Sequence, residues 1–378
     1  FLLEVKKNQM ASEGAQKSSF GKKENKMDKE DKRIIAMKSE KPLKAVFKMG
    51  IPVTIGMLFM VFYNLVDTYF IGLLHNDNML AASNLSYPVL MILIALAGIV
   101  GNGCASYIAR CIGAKKDDEA VHTLTIGFEI MISVFISLLG IVFINPLVNM
   151  LGAKPETFEF TKDYVLVLIV GSIFVIGNYA IGQLLRSEGS TYYSMVGMVA
   201  GTIANIILDP IFIFTLGMEI KGAAIATIIA NGISTLIYLY YYARKKTLLM
   251  PSMRMLKMDG HIIKEIMAVG IPHTLEQLFS TAAIIVCNNL AAEYSTLHVA
   301  AIGVANKVMS FGQYIYQGMT AGCQPLMGYN YGAKNYERLK SIIKTAIISI
   351  TLMEFGVMIL FGIYAPVFIS VFSETSDV

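Results

Sequence analysis

The chain has 378 residues, 55% hydrophobic and only 15% charged, with a formal net charge of +4 and a mean hydropathy of +0.59. Soluble domains carry about 25% charged residues, and a soluble fold of this length has too little interior to hide so much apolar surface. The composition excludes an ordinary soluble enzyme or binding domain and predicts an all-α polytopic membrane protein.

In chain order, residues 1–48 hold 13 of the 31 Lys and Arg. The head, residues 1–45, is polar, mixed in charge and poor in aromatics, and reads as a disordered basic cytosolic tail. Its lysines read as a solvated charge run, so no nucleic-acid partner is expected. Apolar segments follow at 46–73, 79–110, 120–147, 159–185, 191–216, 222–243, 263–291, 298–328 and 340–371, which predicts nine membrane-spanning helices.

The connecting loops predict orientation. "RCIGAKKDD" (110–118), "RSEGS" (186–190), "ARKKTLLMPSMRMLKMDGHIIK" (243–264) and "GAKNYERLK" (332–340) are basic, whereas the alternate loops carry two lysines between them. The positive-inside rule then places the N-terminus in the cytosol; a multi-pass chain in the lipid of the plasma membrane is expected. Cys104, Cys111, Cys287 and Cys323 form no CxxC and have no His at metal spacing, so they read as small apolar residues.

The sequence repeats. "MGIPVTIGMLF" (49–59) returns as "VGIPHTLEQLF" (269–279), shifted by 220, and "GCASYIARCIGAKKDDEA" (103–120) returns as "GCQPLMGYNYGAKNYERL" (322–339), shifted by 219. Six helices, an even number, separate the copies, so both enter from the same side and are parallel. The expected domains are the tail (1–45), a first lobe of helices 1–6 (46–247), a cytosolic linker (248–261) and a partial second lobe of helices 7–9 (262–378). Three helices of the second copy would lie beyond "SETSDV". The sequence therefore reads as a C-terminally truncated chain of two parallel six-helix lobes, the second incomplete.

Ionisable residues inside apolar spans are functional candidates by default. Asp67, in "MVFYNLVDTYFIG", is one; its counterpart in the second copy is Cys287, so the carboxylate is specific to one lobe. "NIILDP" (205–210) supplies Asn205 and Asp209 four residues apart on one helical face, with Pro210 weakening the turn behind them. Such an oxygen cluster suits a proton or a hard cation. The alternative is a Pro-kinked helix whose Asn–Asp pair bonds a neighbouring helix. Glu276 and Lys307 are candidates in the second copy, either as a pair or, for Lys307, snorkelling to the interface. Glu129 and Glu354 receive no role. Met57, Met60, Tyr63, Asn64 and Met91 are candidate cavity residues, and Pro52, Asn64 and Pro210 are places where a helix could bend. Gly197/Gly201 and Gly318/Gly322 have the spacing of close helix crossings.

The stretches "GIPVTIGMLF…YNLVDTYFIG", "GNGCASYIARCIGAKK", "GQLLRSEGS", "NIILDPIFIFTLGMEIKGAAIAT" and the second "GIP" and "YGAKN" together resemble the multidrug and toxic compound extrusion (MATE) transporters, over residues 45–378. The resemblance implies two six-helix lobes and a secondary active antiporter that exports amphipathic cationic drugs in exchange for H⁺ or Na⁺, without a cofactor and as a monomer. It also implies an ion site in the first lobe formed by Asp67, Asn205, Asp209, Thr227, Ala223 and Tyr164, with Asp67, Asn205, Asp209 and Thr227 as candidate Na⁺ ligands. Glu276 lies about one turn from the position that such transporters use in helix 7. Two other readings remain. One is a flippase for lipid or lipid-linked oligosaccharide, which would need a basic cavity. The other is an intramembrane aspartyl protease built on Asp67 and Asp209.

Overall fold

The computed structural model describes residues 31–74, 76–139, 144–294 and 296–363. Among them every regular element is helical: α1 (Lys32–Lys38), α2 (Pro42–Gly72), α3 (Asp77–Gly113), α4 (Asp117–Leu139), α5 (Ile144–Met150), α6 (Pro155–Val170), α7 (Ser172–Ser187), α8 (Thr191–Pro210), α9 (Glu219–Ala243), α10 (Gly260–Tyr294), α11 (Thr296–Gly332) and α12 (Tyr336–Ile363). Short π and 3₁₀ turns occupy Ile211–Thr215 and Met253–Met255.

Each apolar segment predicted from sequence falls on one or two of these helices. Residues 140–143 of the third and 364–371 of the ninth lie outside the described residues. Among the described residues, five stretches are long and apolar enough to cross a membrane: Pro42–Tyr63, Ala81–Gly113, Thr191–Thr215, Glu219–Ala243 and Tyr336–Ile363. α6 and α7, bent by 52° across Gly171, make a sixth if counted as one broken span. α10 and α11 carry His273, Glu276, Gln277, Lys307, Gln313 and Gln317, which dilutes their apolarity.

The expected disordered tail needs correction at its end. Residues 31–45 are ordered: Asp31 caps α1, Ala36 and Met37 are fully buried, and Pro42 opens α2 at the first helical position, where its missing N–H costs nothing. A head rich in charge hides seven residues whose apolar positions, Ile34, Ile35, Ala36 and Met37, are enough for one docked helix. Residues 1–30 lie outside the described residues.

The helices up to α9 carry the first copy of the sequence repeat and are called the first unit; those from α10 carry the second copy and are called the second unit. They are joined at the end that carries the basic loops. There α2 packs on α11, and α3 on both α10 and α11. One apolar core straddles this joint, with Met49, Ile108, Leu184 and Tyr238 from the first unit and Ile266, Met319, Cys323 and Leu326 from the second. A separate core at the opposite end, around Ile71, Leu93, Tyr164, Leu168 and Ile213, contains first-unit residues only among those described.

The joint obeys the sequence repeat. A side chain on Gly113 would strike the Tyr329 carbonyl, and one on Gly332 would strike the Arg110 carbonyl; both residues of the second contact stand 219 positions from those of the first. In the same way Gly50 sits against Met319 and Gly270 against Ile99, related by 220. The two "GAK" turns are superposable in their bonding: Lys116 N donates to Cys111 O, and Asn335 N to Asn330 O, each at 2.9 Å. Lys115 and Lys334 both adopt the left-handed conformation, at φ 59° and 57°. The small-residue spacings do bring helices together. Gly197 and Gly201 seat Tyr238 and Ser234 of α9, and Gly318 and Gly322 seat Thr54 and Met49 of α2.

The linker is tied down. Leu248 and Leu249 donate backbone N–H bonds to Glu188, and Ser252 donates one to Thr125 Oγ1 at 3.1 Å. His122 Nε2 meets the Lys257 carbonyl at 2.7 Å.

Candidate ion and substrate site in the first unit

α2, α6, α8 and α9 converge on the polar residues singled out from sequence. Asn205 and Asp209 are both buried on α8, and the Asn205 amide donates to Asp209 Oδ1 at 3.2 Å. Pro210 ends the regular α-helix. The chain continues as a π turn in which Leu216 N reaches Ile211 O, because proline removes the N–H that the preceding ladder needs. Asp67 comes from α2, near enough for its charge to repel that of Asp209. Tyr63, one turn earlier, hydrogen-bonds Thr227 Oγ1 of α9 at 3.3 Å. Ala223, one turn before Thr227, is fully buried. Tyr164 on α6 is buried as well, within the electrostatic reach of Asp67, Tyr63 and Asp209.

Three buried oxygens here lack a hydrogen-bond partner among the described residues: Asp67 Oδ1, Asn205 Oδ1 and Asp209 Oδ2. All three are acceptors, and an unpartnered buried acceptor costs about 1–3 kcal/mol, more when charged. A hard cation or added protons would remove that cost. The donor set of two carboxylates, an amide oxygen and a hydroxyl therefore fits the coupling ion implied by the resemblance.

A cavity of about 60 Å³ opens beside this cluster, lined by Met60, Tyr63, Asn178, Asn205, Thr227 and Asn231 among others. It has room for a few waters and is smaller than the roughly 300 Å³ at which drug-sized sites begin. Among the residues that escaped the sequence reading are two of its amides. Asn178 Nδ2 donates to Asn231 Oδ1 at 2.7 Å, and Asn231 Nδ2 donates to the Thr227 carbonyl at 2.8 Å. The signal was present, one amide each in the apolar runs "VIGNYAIG" and "ANGIS", but neutral amides stand out less than acids. Arg186 was also passed over. It is buried in the last turn of α7, bonding Gln183, Ser194 and the Met198 sulfur.

Met57 and Met91 are half-buried and are not among the residues lining this cavity. Pro52 lies inside α2 at the joint, between Gly50 and Thr54. Glu276 is exposed on α10, and its described partner is His273 at 3.7 Å. The side chains of Asn64 and Lys307 lie outside the described residues; both backbones are helical.

The MatE family model matches residues 52–211 and 272–378, two stretches that start 220 residues apart, as the internal repeat does. The chain belongs to the MatE family. Multidrug export protein MepA of Staphylococcus haemolyticus is 31% identical over 325 residues, covering 85% of this chain and 72% of the relative. MepA of Staphylococcus saprophyticus is 30% identical over 350 residues, covering 92% and 77%. A crystal structure of MATE in complex with MaL6 superposes with a TM-score of 0.88 at 30% identity, covering 92% of this chain and 77% of that one. The outward-facing conformation of a multidrug resistance MATE family transporter superposes at 0.87 and 30% identity, covering 91% and 76%. Family membership makes this chain an integral membrane transporter and not an enzyme. That sets aside the aspartyl protease reading of Asp67 and Asp209.

Proposed function

We propose that the protein is a multidrug efflux antiporter of the plasma membrane. It exports amphipathic cationic compounds in exchange for H⁺ or Na⁺ by alternating access of two parallel lobes, works as a monomer and has its N-terminus in the cytosol. The observation that carries the antiport reading is the set of three unpartnered acceptor oxygens on Asp67, Asn205 and Asp209. Asn205, Asp209 and Thr227 are nearly solvent-free on α8 and α9, while Asp67 sits on α2. An ion arriving at the cluster neutralises the repulsion between Asp67 and Asp209 and draws α2 toward α8. Closing that gap shrinks the adjoining cavity and disfavours a bound cation there. Coupling follows if ion and drug favour opposite arrangements of α2.

The joint at the basic end and the separate core at the other end correspond to a molecule shut on the basic side. The similarity to an outward-facing relative supports the same reading. The amides that line the cavity and the carboxylates of Asp67 and Asp209 beside it favour cationic cargo over the anionic headgroups of a flippase. The test is efflux of a fluorescent cation from proteoliposomes with proton and sodium gradients imposed separately. Asp67→Asn is expected to abolish ion-driven efflux. Efflux against a gradient at the parent rate in that variant would end the antiport reading.

A further inference from the structure

α1 is tied to both units at once. At its start, the Asp31 carboxylate accepts the Arg33 backbone N–H at 2.9 Å. The Arg33 side chain then enters the first unit: Nη1 donates to Ser190 Oγ at 2.7 Å and Tyr241 OH at 3.2 Å, and pairs with Glu188 at 3.4 Å. Glu188 is 1% exposed, and its other oxygen accepts the N–H groups of Leu248 and Leu249 at 2.8 and 3.2 Å. One carboxylate thus gathers the α7–α8 turn, α1 and the linker between the units.

The far end of α1 is held by the second unit. The last carbonyls of a helix have no partner within it. Here Arg338, in the first turn of α12, supplies the missing donors. Its Nε reaches Met37 O at 3.2 Å, and its Nη2 reaches Ala36 O at 3.4 Å and Glu40 O at 2.6 Å. Asn330, near the end of α11, adds a bond from Nδ2 to Met37 O at 3.0 Å. A guanidinium suits the task because its donors form a rigid fork, and a positive charge at a helix C-terminus is favoured by the helix dipole. The buried Met37 side chain fills the space between the anchors, against Gly189 of the first unit.

The two ends differ in kind. α1 runs through Ser39–Lys41 directly into α2, so its bond to the first unit is covalent as well as polar. Its bond to the second unit consists of these hydrogen bonds and packing alone. Separation of the units at the basic end breaks one of these two attachments, and the one to the second unit has no covalent link behind it.

We propose that α1 is a latch between the lobes: its C-terminal carbonyls, docked on Arg338 and Asn330, hold the basic side shut, and opening toward that side requires their release. The proposal rests on the alternating-access reading.

The test places spin labels at the exposed positions Asp118→Cys and Lys340→Cys, one in each unit near the joint, with Cys287→Ser removing the exposed native thiol. Distances are measured in lipid. The parent is expected to populate mainly one short distance. Arg338→Ala with Asn330→Ala is expected to raise the longer-distance population about tenfold, as loss of several partly buried hydrogen bonds implies. Arg338→Lys, which keeps the charge but not the fork, is expected to fall between the two. Arg33→Ala attacks the latch from the first-unit side, leaves the second unit untouched, and should shift the distances in the same direction. It covers the case in which the double variant fails to fold. Distance distributions that coincide with the parent in the folded variants would overturn the latch. Efflux is scored separately: a parent that shows no ion-driven efflux removes the antiport reading, while the distances still decide the latch.

Discussion

The joint between the two units and the interior of the first unit follow opposite rules. At the joint, several close contacts have a partner displaced by the repeat, as Gly113 on Tyr329 mirrors Gly332 on Arg110. In the interior the mirror fails. Asp67 of α2 corresponds to Cys287 of α10, an exposed thiol, and Glu276 stands near His273 rather than in an acidic cluster. Under the proposed function, the contrast answers two separate demands on one duplicated fold: a rocking joint needs equal surfaces on both sides, and coupling chemistry needs charge in one place, because every buried carboxylate carries a desolvation cost.

The strongest way to break this comparison is at the glycines. Gly113→Leu and Gly332→Leu each drive a side chain into a backbone carbonyl that has nowhere to go. Each should cost more than about 3 kcal/mol, read as loss of monodisperse protein or a large drop in thermal midpoint. The symmetry of the joint requires the two losses to be similar. A mild effect at one position and a severe one at the other would show that the mirrored contacts are not equivalent.

The next test moves the charge. Asp67→Cys combined with Cys287→Asp keeps the composition but transfers the acid to the other unit. Ion-driven efflux should fall by roughly a hundredfold and stay there, because Asn205, Asp209 and Thr227 do not follow. Recovery of efflux would show that either unit can serve.

A smaller, pH-dependent effect is expected at Glu188, outside the spanning segments. Burial pushes its carboxyl up to about 7, outweighing the attraction of Arg33 and the bonds from Ser190, Leu248 and Leu249. The folded form therefore holds its proton to higher pH than the unfolded form. The associated stability is full below the ordinary carboxylate range and is lost as pH rises through about 7, on the order of 3 kcal/mol in all. Thermal midpoints at pH 5 and pH 8 should differ less in Glu188→Gln than in the parent. An equal difference in both would show that this carboxyl does not govern the pH dependence. Arg33, Tyr241 and Tyr242 are the charged or titratable groups acting on it.

The smallest effect is expected from Tyr63→Phe, which removes only the bond to Thr227. A neutral hydrogen bond is worth about 1 kcal/mol, so apparent ion affinity should change by roughly fivefold with folding intact.

Much of the candidate site was legible because charge is conspicuous in an apolar run. Asp67, Asn205 and Asp209 could be picked out by cost alone, and Thr227 and Tyr164 followed from the family pattern. The helices were legible from their length and apolarity, and the repeat from two quoted blocks. The rest was hidden for physical reasons. Asn178 and Asn231 carry no charge, and their mutual bond joins residues 53 apart. α1 was hidden by its neighbours: a short helix in a charge-rich head is held by Arg33 on Ser190 and Glu188 and by Asn330 and Arg338, the latter two nearly 300 residues away. No local pattern encodes a cap that arrives from so far along the chain.

The left-handed turns carry one more consequence. Helices commonly end on a glycine in this conformation, since other residues lose about 1 kcal/mol or more there. Yet Lys115, Lys245 and Lys334 occupy it at the basic end, and Glu219 occupies it at the other. Glycine at the three lysine positions should give a firmer molecule. It would also erase three of the positive charges that mark one end of the bundle for the insertion machinery. The turns have thus kept an address label in place of their most comfortable residue.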